Sequence, residues 1–243
     1  MVPDLPTGAG QPRRDAAARA ALAEIARRVR PVGAAHERVV EVPGSLGARL
    51  PQRGVRRGSV VAVTGAPGAG ATSVALTLAG AVTARGEWAA ALDLGGTLGA
   101  LAAAEAGVAL ERFVVVRPPG GARALADRWA TVVAALLDGV GLVIAELPRS
   151  LRTADARRLA ARARERAAIL VPLAPTDAWP AEAALRLHAP GGPWPLVDGL
   201  LTERTVPVVV DGHGAGAITG ARAGAITGAG APGGRGTGHA RAG

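Results

Sequence analysis

The stretch that decides the fold reads VAVTGAPGAGATS at residues 61–73. A short apolar run typical of a buried strand leads into a glycine-rich turn, and a helical pattern begins directly after the turn. This order matches the phosphate-binding motif G-x-x-x-x-G-K-[ST], in which backbone N–H groups wrap phosphates at a helix N-terminus. Gly65, Gly70 and Thr72 stand at the positions that the motif requires. The sequence therefore predicts a strand, a phosphate-loop turn and a helix.

The lysine position of the motif is occupied by Ala71, and the chain contains no other lysine that could replace it. Losing one such charge-stabilising group typically costs a catalyst about 3–4 kcal/mol. Three alternatives follow: a loop kept only for the fold, weak nucleotide binding, or competent hydrolysis. The residues of the degenerate nucleotide site are Gly65, Gly68, Gly70, Ala71, Thr72, Ser73 and Glu146, with Thr72 holding Mg²⁺ only if a nucleotide binds. We expect no catalytic residue and no required cofactor, with ATP and Mg²⁺ bound weakly at most.

Glu146 enters that set because it ends a second apolar run, LVIAE at residues 142–146. An apolar strand that ends in a carboxylate is the pattern of a magnesium-binding Walker B segment. Apolar strands that end in a carboxylate are common, but the position of this one after the phosphate-loop motif strengthens its interpretation as a Walker B segment.

Apolar runs alternate with helical stretches from residue 59 to residue 210. This alternation, with nearly continuous Val, Ile, Leu and Ala in the strands, predicts an α/β fold with a mainly parallel sheet and helices on both faces. The predicted strands are 59–64, 89–93, 113–116, 142–146, 169–173 and 206–210. The predicted helices are 72–84, 98–106, 121–137 and 154–166.

Two segments flank the predicted core of residues 42–211. In the N-terminal arm, residues 1–41, a helix is predicted from Asp15 to about Val29, with Ala18, Leu22, Ile25 and Val29 on one face and arginines around the rest. The C-terminal segment 212–243 is rich in Gly, Ala and Arg and repeats AGAITGA at 215–221 and 223–229. We predict that it is a disordered tail, because this composition cannot bury a core.

Composition excludes several classes of protein. The chain of 243 residues has no cysteine, so disulfide scaffolds and thiolate metal sites are excluded, and its four histidines are widely scattered. No apolar run is long enough for a membrane span. We expect a cytoplasmic protein, associated with the nucleoid when active.

All 28 basic residues are arginines, and the formal net charge is +9. Residues 147–166 carry seven arginines against two acids, and residues 42–58 carry four against none. Such surfaces contact DNA phosphates or an acidic partner, although a solvated face is the simpler interpretation. The candidate contact residues are Arg56, Arg57, Arg158, Arg162 and Arg166, with Trp179 and Trp194 as partner anchors or covers of a sheet edge.

Several segments together resemble the RecA recombinase family. VPGSLG at 42–47 and GVRRGSVV at 54–61 are similar to the segments that precede that family's loop, and GEWAAALD at 86–93 is similar to its second core strand. The likeness covers residues 42–146 well and thins toward 211. The chain differs from that family at the residues that carry its chemistry. Gly95 stands near the position of the family's catalytic glutamate. Ala174-Pro175-Thr176 stands where the family has a nucleotide-sensing glutamine after a strand.

Within that superfamily, the chain resembles the ImuA branch in its compact actinobacterial form. Three features carry this resemblance: the degenerate loop, the Trp-Pro pairs at 179–180 and 194–195, and RTVPVVV at 204–210. This resemblance implies an accessory protein in SOS-type mutagenic translesion synthesis. Its implied partners are an ImuB-type homologue of Y-family polymerases and, indirectly, a DnaE2-type polymerase. The alternatives are a DNA-dependent ATPase related to RecA, a nonspecific DNA-binding module, and a SulA-like inhibitor of cell division.

Overall fold

The apolar runs predicted as strands assemble into one sheet, and the helices between them cover both faces of it. The computed structural model describes residues 39–119, 123, 125, 127–149, 151–193, 196–197, 200–201, 205–212 and 222–227. The predicted N-terminal helix, Trp194 and most of the predicted tail lie outside these residues. None of the helices within them has the length and hydropathy that crossing a membrane requires.

Twelve strands are present in the described residues. They are β1 (Val39–Glu41), β2 (Gly54–Arg56), β3 (Val61–Thr64), β4 (Ala89–Leu92), β5 (Phe113–Val116), β6 (Leu142–Glu146), β7 (Ile169–Ala174), β8 (Leu185–His188), β9 (Leu196–Val197), β10 (Leu200–Leu201), β11 (Thr205–Asp211) and β12 (Arg222–Thr227). The helices are α1 (Gly44–Gly47), α2 (Ala71–Thr83), α3 (Ala100–Glu105), α4 (Trp129–Leu137) and α5 (Thr153–Arg166), with short 3₁₀ turns at Pro51–Arg53 and Leu110–Arg112.

Eight strands form the main sheet in the order β12-β11-β8-β3-β7-β6-β4-β5. The six strands from β8 to β5 are parallel, whereas β11 pairs antiparallel with both β8 and β12. The predicted α/β fold with a mainly parallel sheet is confirmed. Because β3 lies between β7 and β8, the turn that follows β3 emerges near the middle of the sheet.

The side chains of β3 to β7 alternate between two separate cores. Val61 and Val63 of β3 face a cluster that includes α1, α2 and α3, and Ala62 faces a cluster that includes α4 and α5. Leu78 of α2 and Leu159 of α5 are completely buried on opposite sides. The sheet is therefore the middle layer of three, and its strand ends carry the loops that could form a site.

The structure differs from the predictions in several places. β1 begins at Val39, before the predicted core boundary at residue 42, because Val40 is buried and β1 pairs with β2. The predicted helix 121–137 is interrupted: Arg123 and Leu125 are helical, Asp127 and Arg128 form a turn, and α4 begins at Trp129. β8 was not predicted as a strand. In the predicted disordered tail, the structure instead places Arg222–Thr227 in a strand that pairs with β11.

Candidate functional site

The glycine-rich turn connects β3 to α2 in the predicted arrangement. Gly68 and Gly70 have positive φ angles of 78° and 103°, which favour glycine. Gly70 is the N-cap of α2, and its carbonyl accepts the first helical hydrogen bond from the Val74 N–H at 3.1 Å. The Ala69 N–H donates to the Ala66 carbonyl at 2.9 Å. The backbone therefore forms the turn that a phosphate loop requires.

The two motif glycines are also required by packing against neighbouring strands and loops. A Cβ on Gly65 would lie 2.8 Å from the Ala189 carbonyl oxygen, and a Cβ on Gly70 would lie 2.6 Å from Cγ1 of Val206. Both distances are too short for any side chain. Gly65 is thus explained by a close approach to the Ala189 backbone, and Gly70 by its positive φ and its contact with the Val206 side chain, without any ligand.

The residue at the motif's lysine position belongs to the core. Ala71 is 7 % exposed and packs in the cluster on the α2 side, whereas Thr72 and Ser73 are exposed. Of the predicted nucleotide-binding residues, the structure brings together the glycines and the two hydroxyls at one turn. It offers no cationic side chain within that turn, since residues 64–73 contain none.

Glu146, the predicted Walker B carboxylate, ends β6 as expected but bonds to a different loop. Its Oε2 accepts hydrogen bonds from the backbone N–H groups of Leu94 and Gly95 at 2.7 and 2.9 Å. Its own carbonyl accepts from Nε1 of Trp129 at 2.9 Å. Glu146 therefore connects the end of β6 to the turn after β4 and to the start of α4.

Asp93, at the end of β4, is the second carboxylate at this edge and is 5 % exposed. Its two oxygens accept from the N–H groups of Thr97 and Leu98, each at 3.1 Å, and from Nε of Arg117 at 3.0 Å. Burial alone would raise the pKa of Asp93, but the Arg117 hydrogen bond, the two backbone N–H groups and the Arg117 charge together lower it. Asp93 is therefore an ionised, fully bonded carboxylate.

One pair beside the loop was not found by sequence reasoning. Thr64, the last residue of β3, and His188, the last of β8, meet through Oγ1 and Nδ1 at 2.9 Å. Both are at the carboxyl edge of the sheet because β3 and β8 are parallel and paired in register. The alternation Leu185-Arg186-Leu187-His188 was the signal that could have revealed β8.

Four of the five candidate contact arginines form ion pairs with acids of the same fold. Arg57 makes two bonds to Glu87, at 2.8 and 2.5 Å. Arg158 bonds to Asp155 at 2.9 Å. Arg162 and Arg166 both bond to Asp138, at 2.8 and 2.9 Å through their Nε atoms.

The Asp138 bonds join α5 to the end of α4. Burial alone would raise the pKa of Asp138, but the hydrogen bond and charge of Arg162, and those of Arg166, lower it. The same contact raises the pKa of Arg162. Arg56 is exposed and, among the described residues, forms no ion pair.

Trp179 is not available as a surface anchor. It is 4 % exposed and packs in the cluster beneath α5, with its Nε1 directed at the Glu182 carbonyl 3.4 Å away. The partner-anchor interpretation of Trp179 is therefore replaced by a packing role, because a buried indole cannot meet a partner without unfolding. Trp194 lies outside the described residues.

Comparison with known families gives one match. The family model described as the MT3502 N-terminal domain, a domain of unknown function, matches residues 48–181. That range contains the loop, both carboxylates and helices α2 to α5. No RecA or ImuA family model matches the chain. A search of curated proteins found no match.

Proposed function

Because the chain belongs to the MT3502 N-terminal domain family, whose function is unknown, we propose its role from the site itself. The proposal is an accessory protein of SOS-type translesion DNA synthesis that acts as a docking scaffold and does not hydrolyse nucleotide. Its partners would be an ImuB-type polymerase homologue and, through it, a DnaE2-type polymerase. The partner names rest on the sequence resemblance alone.

One observation carries the scaffold part of the proposal: the loop has no cation, and the remaining groups of the expected nucleotide site, apart from Gly68 and the exposed hydroxyls of Thr72 and Ser73, already serve the fold. Gly65 is needed for the close approach to the Ala189 backbone, Gly70 for its contact with the Val206 side chain, and Ala71 is in the core. The carboxylate of Glu146 bonds to two backbone N–H groups of the turn after β4. Phosphoryl transfer depends on positioned charges around the phosphates, and the loop supplies none from its own side chains.

The test is calorimetric titration of the full chain with Mg-ATP, beside an Ala71→Lys variant. We expect no measurable heat for the natural chain and a gain of binding for the variant, because the backbone turn is present and the cation is not. Thr72→Ala in the Ala71→Lys background is the matched control, since it removes the hydroxyl that would hold Mg²⁺.

Micromolar binding by the natural chain, with ATP hydrolysis when DNA is added, would overturn the scaffold proposal and favour the DNA-dependent ATPase alternative. A chain that binds no ATP but inhibits cell division on expression would favour the SulA-like alternative. The accessory role itself is tested by damage-induced mutagenesis in cells that lack the gene, where its absence should reduce mutation frequency.

A second candidate function, contact with nucleic-acid phosphates, is favoured by arginines other than those expected. Arg157 and Arg164 are exposed, lie seven residues apart on one side of α5 and, among the described residues, form no ion pairs. The turn before β3 adjoins Arg164, because a Cβ on Gly58 would lie 3.1 Å from Cα of Arg164. Arg56, two residues before that glycine, extends the same exposed basic surface.

Reversing the charge of both α5 residues, Arg157→Glu with Arg164→Glu, tests this second function on a fluorescent DNA duplex. We expect the affinity for DNA to weaken about tenfold or more. The slope of log affinity against log salt concentration should decrease by the amount that corresponds to about two phosphate contacts. Thr153→Glu with Ala161→Glu is the matched control, since it adds the same acids to α5 without removing an arginine. Equal affinity of the double-reversal protein and the natural chain would exclude this surface.

A further inference from the structure

β5 is the last strand at one end of the main sheet. It pairs with β4 on one side and, in the described part of the chain, with no strand on the other. Its four residues are Phe or Val, all of them half-buried. Native proteins commonly protect an edge strand with a charged residue or a proline, because an open edge can pair with another chain. β5 contains neither within its length.

The backbone of β5 presents polar groups to this open side. The Val116 carbonyl accepts the Asp93 N–H at 3.0 Å, so it points toward β4. Because successive residues of a strand direct their backbone groups to opposite sides, Phe113 and Val115 point outward. The Phe113 N–H is bonded to the Leu110 carbonyl. The Phe113 carbonyl and both backbone groups of Val115 have no partner among the described residues and are available to a further strand.

The surface beside this edge is partly apolar and partly charged. A depression of about 670 Å³ lies there, and Phe113, Val115 and Arg117 are among the residues that line it. Leu110, in the turn before β5, is 44 % exposed, and Leu101 of α3 is 73 % exposed. These are the two exposed large hydrophobic side chains of the described residues, and both belong to segments that line the depression. A partner at this edge must therefore match apolar groups and charges together.

Charges of opposite sign stand at the two ends of β5. Glu111, two residues before the strand, is exposed and forms no ion pair among the described residues. Arg117 follows the strand directly, and its side chain is 54 % exposed. Its Nε bonds to Asp93 at 3.0 Å and its Nη2 to the Leu98 carbonyl, whereas no described residue bonds to its Nη1. Every second position from 111 to 117 thus reads acid, apolar, apolar, base.

This pattern is complementary to itself when two copies of the strand run antiparallel. With Val114 of one copy opposite Val114 of the other, each Glu111 lies opposite an Arg117. Each Phe113 then lies opposite a Val115, and the Val115 N–H donates to the Phe113 carbonyl of the other copy. The same contacts occur twice, on the two sides of a two-fold axis, as in an isologous dimer.

We propose that a second copy of this chain docks on the β5 edge, antiparallel and related by a two-fold axis, so that the sheets of two molecules join. Each Glu111 lies beside the Arg117 of the other copy, and the second copy covers the two exposed leucines beside the edge. Arg112 falls opposite Val116, so no two like charges face each other at the paired positions. The dimer presents two copies of the exposed basic surface of α5.

Because the chain has no cysteine, a single substitution tests the register. Val114→Cys places two thiols at a directly opposed pair without ladder hydrogen bonds, where the Cα atoms lie about 4.5 Å apart, a distance that a disulfide spans. The full chain with this substitution should give mostly disulfide-linked dimer on mild oxidation. Val116→Cys is the matched control on the same face of the same strand. Its two copies would be four residues out of register, about 13 Å along the strand, and should stay unlinked.

Sedimentation equilibrium of the natural full chain should give twice the mass of the chain. Glu111→Arg sets a like charge against Arg117 at both symmetric contacts and should weaken dimerisation about tenfold or more. Glu182→Arg is the matched control, since Glu182 is also exposed but precedes β8 and not β5. It should leave the dimer unchanged.

Three results would overturn the proposal. A chain that stays monomeric at high micromolar concentration would mean that another segment of the chain or a different partner covers β5. Linkage of Val116→Cys as complete as that of Val114→Cys would exclude this register. A dimer that Glu111→Arg leaves intact would form through another surface.

Discussion

The glycine-rich turn after β3 and the carboxylate corner formed by Asp93 and Glu146 lie at the same edge of the sheet but differ in what they retain. The turn keeps its backbone conformation, with two glycines at positive φ and a helix of 13 residues behind it, and lacks its cation. The corner keeps both carboxylates, but they bond to N–H groups and to Arg117 of the same fold.

This difference teaches that features typical of a nucleotide site can occur separately from one another. Backbone conformation persists when strands and helices depend on it, whatever the ligand. Each carboxylate at this corner accepts hydrogen bonds from two backbone N–H groups of the turn after β4. Neither feature by itself indicates that a phosphate binds, and the following substitutions measure how far each one serves stability.

The largest effect is expected at the turn, from Gly70→Ala. The new Cβ would meet Val206 at 2.6 Å and would hold a non-glycine residue at a φ of 103°, so we expect a loss of about 3 kcal/mol in unfolding free energy. Gly68→Ala is the matched control, because its φ is 78° but no atom lies within 4 Å; about 1 kcal/mol is expected. Urea unfolding followed by tryptophan fluorescence measures both, and equal losses would refute the packing role of Gly70.

Asp93→Asn should cost about 2 kcal/mol, because the neutral amide replaces a buried carboxylate bonded to Arg117 and two N–H groups. The control is Asp177→Asn, whose exposed pair with Arg186 should contribute less than about 1 kcal/mol.

The loss at Asp93 should also depend on pH. The pKa of Asp93 is lower in the folded protein, so its stabilisation is present above its unfolded value near 3.8 and is lost as the pH falls through the lower folded value. Unfolding measured from pH 7 down to pH 3 should therefore show the natural chain and Asp93→Asn becoming more alike in acid. A constant difference would contradict the ionised state assigned here.

Glu146→Ala should cost about 1.5 kcal/mol, because the N–H groups of Leu94 and Gly95 lose their acceptor. Glu146→Gln should cost less, since the amide oxygen can still accept one or both bonds. If instead both substitutions leave stability unchanged, the carboxylate is not needed by the fold, and a role toward a ligand regains support. Thermal unfolding of the three proteins decides this.

The smallest effect is expected for Asp138→Asn, which removes the carboxylate shared by Arg162 and Arg166. The pair is partly exposed, so we expect a loss of about 0.5–1 kcal/mol that decreases further at high salt. Urea unfolding at low and high ionic strength measures it. A loss that does not respond to salt would indicate packing between α4 and α5 and not the ion pair.

The parts of this fold that follow from local pattern could be predicted from the sequence. The runs at 113–116 and 142–146 are strands with the predicted bounds, because buried parallel strands are continuously apolar. β8 was missed because its alternation of Leu with Arg and His covers only four residues. β12 was missed because its pairing with β11 depends on a strand distant in sequence and not on its own composition.

The structure has the glycine-rich turn after β3 and Glu146 at the end of β6, as the sequence predicted, but the sequence could not assign their hydrogen-bond partners. Nothing in the local sequence of Glu146 indicates that the N–H groups that donate to its carboxylate belong to Leu94 and Gly95, 52 and 51 residues earlier. The same holds for Asp138 with Arg162 and Arg166. Such pairings follow from strand order and helix docking, which residue spacing does not record.

The close approach of Gly65 to Ala189 and of Gly70 to Val206 has a consequence for ligand affinity. Neighbouring segments hold the turn in one conformation, so an anion arriving there would not have to order it. The usual loss of conformational entropy on binding is then small. Any affinity that Ala71→Lys confers would thus measure the ammonium group itself, separated from the ordering of the loop around it.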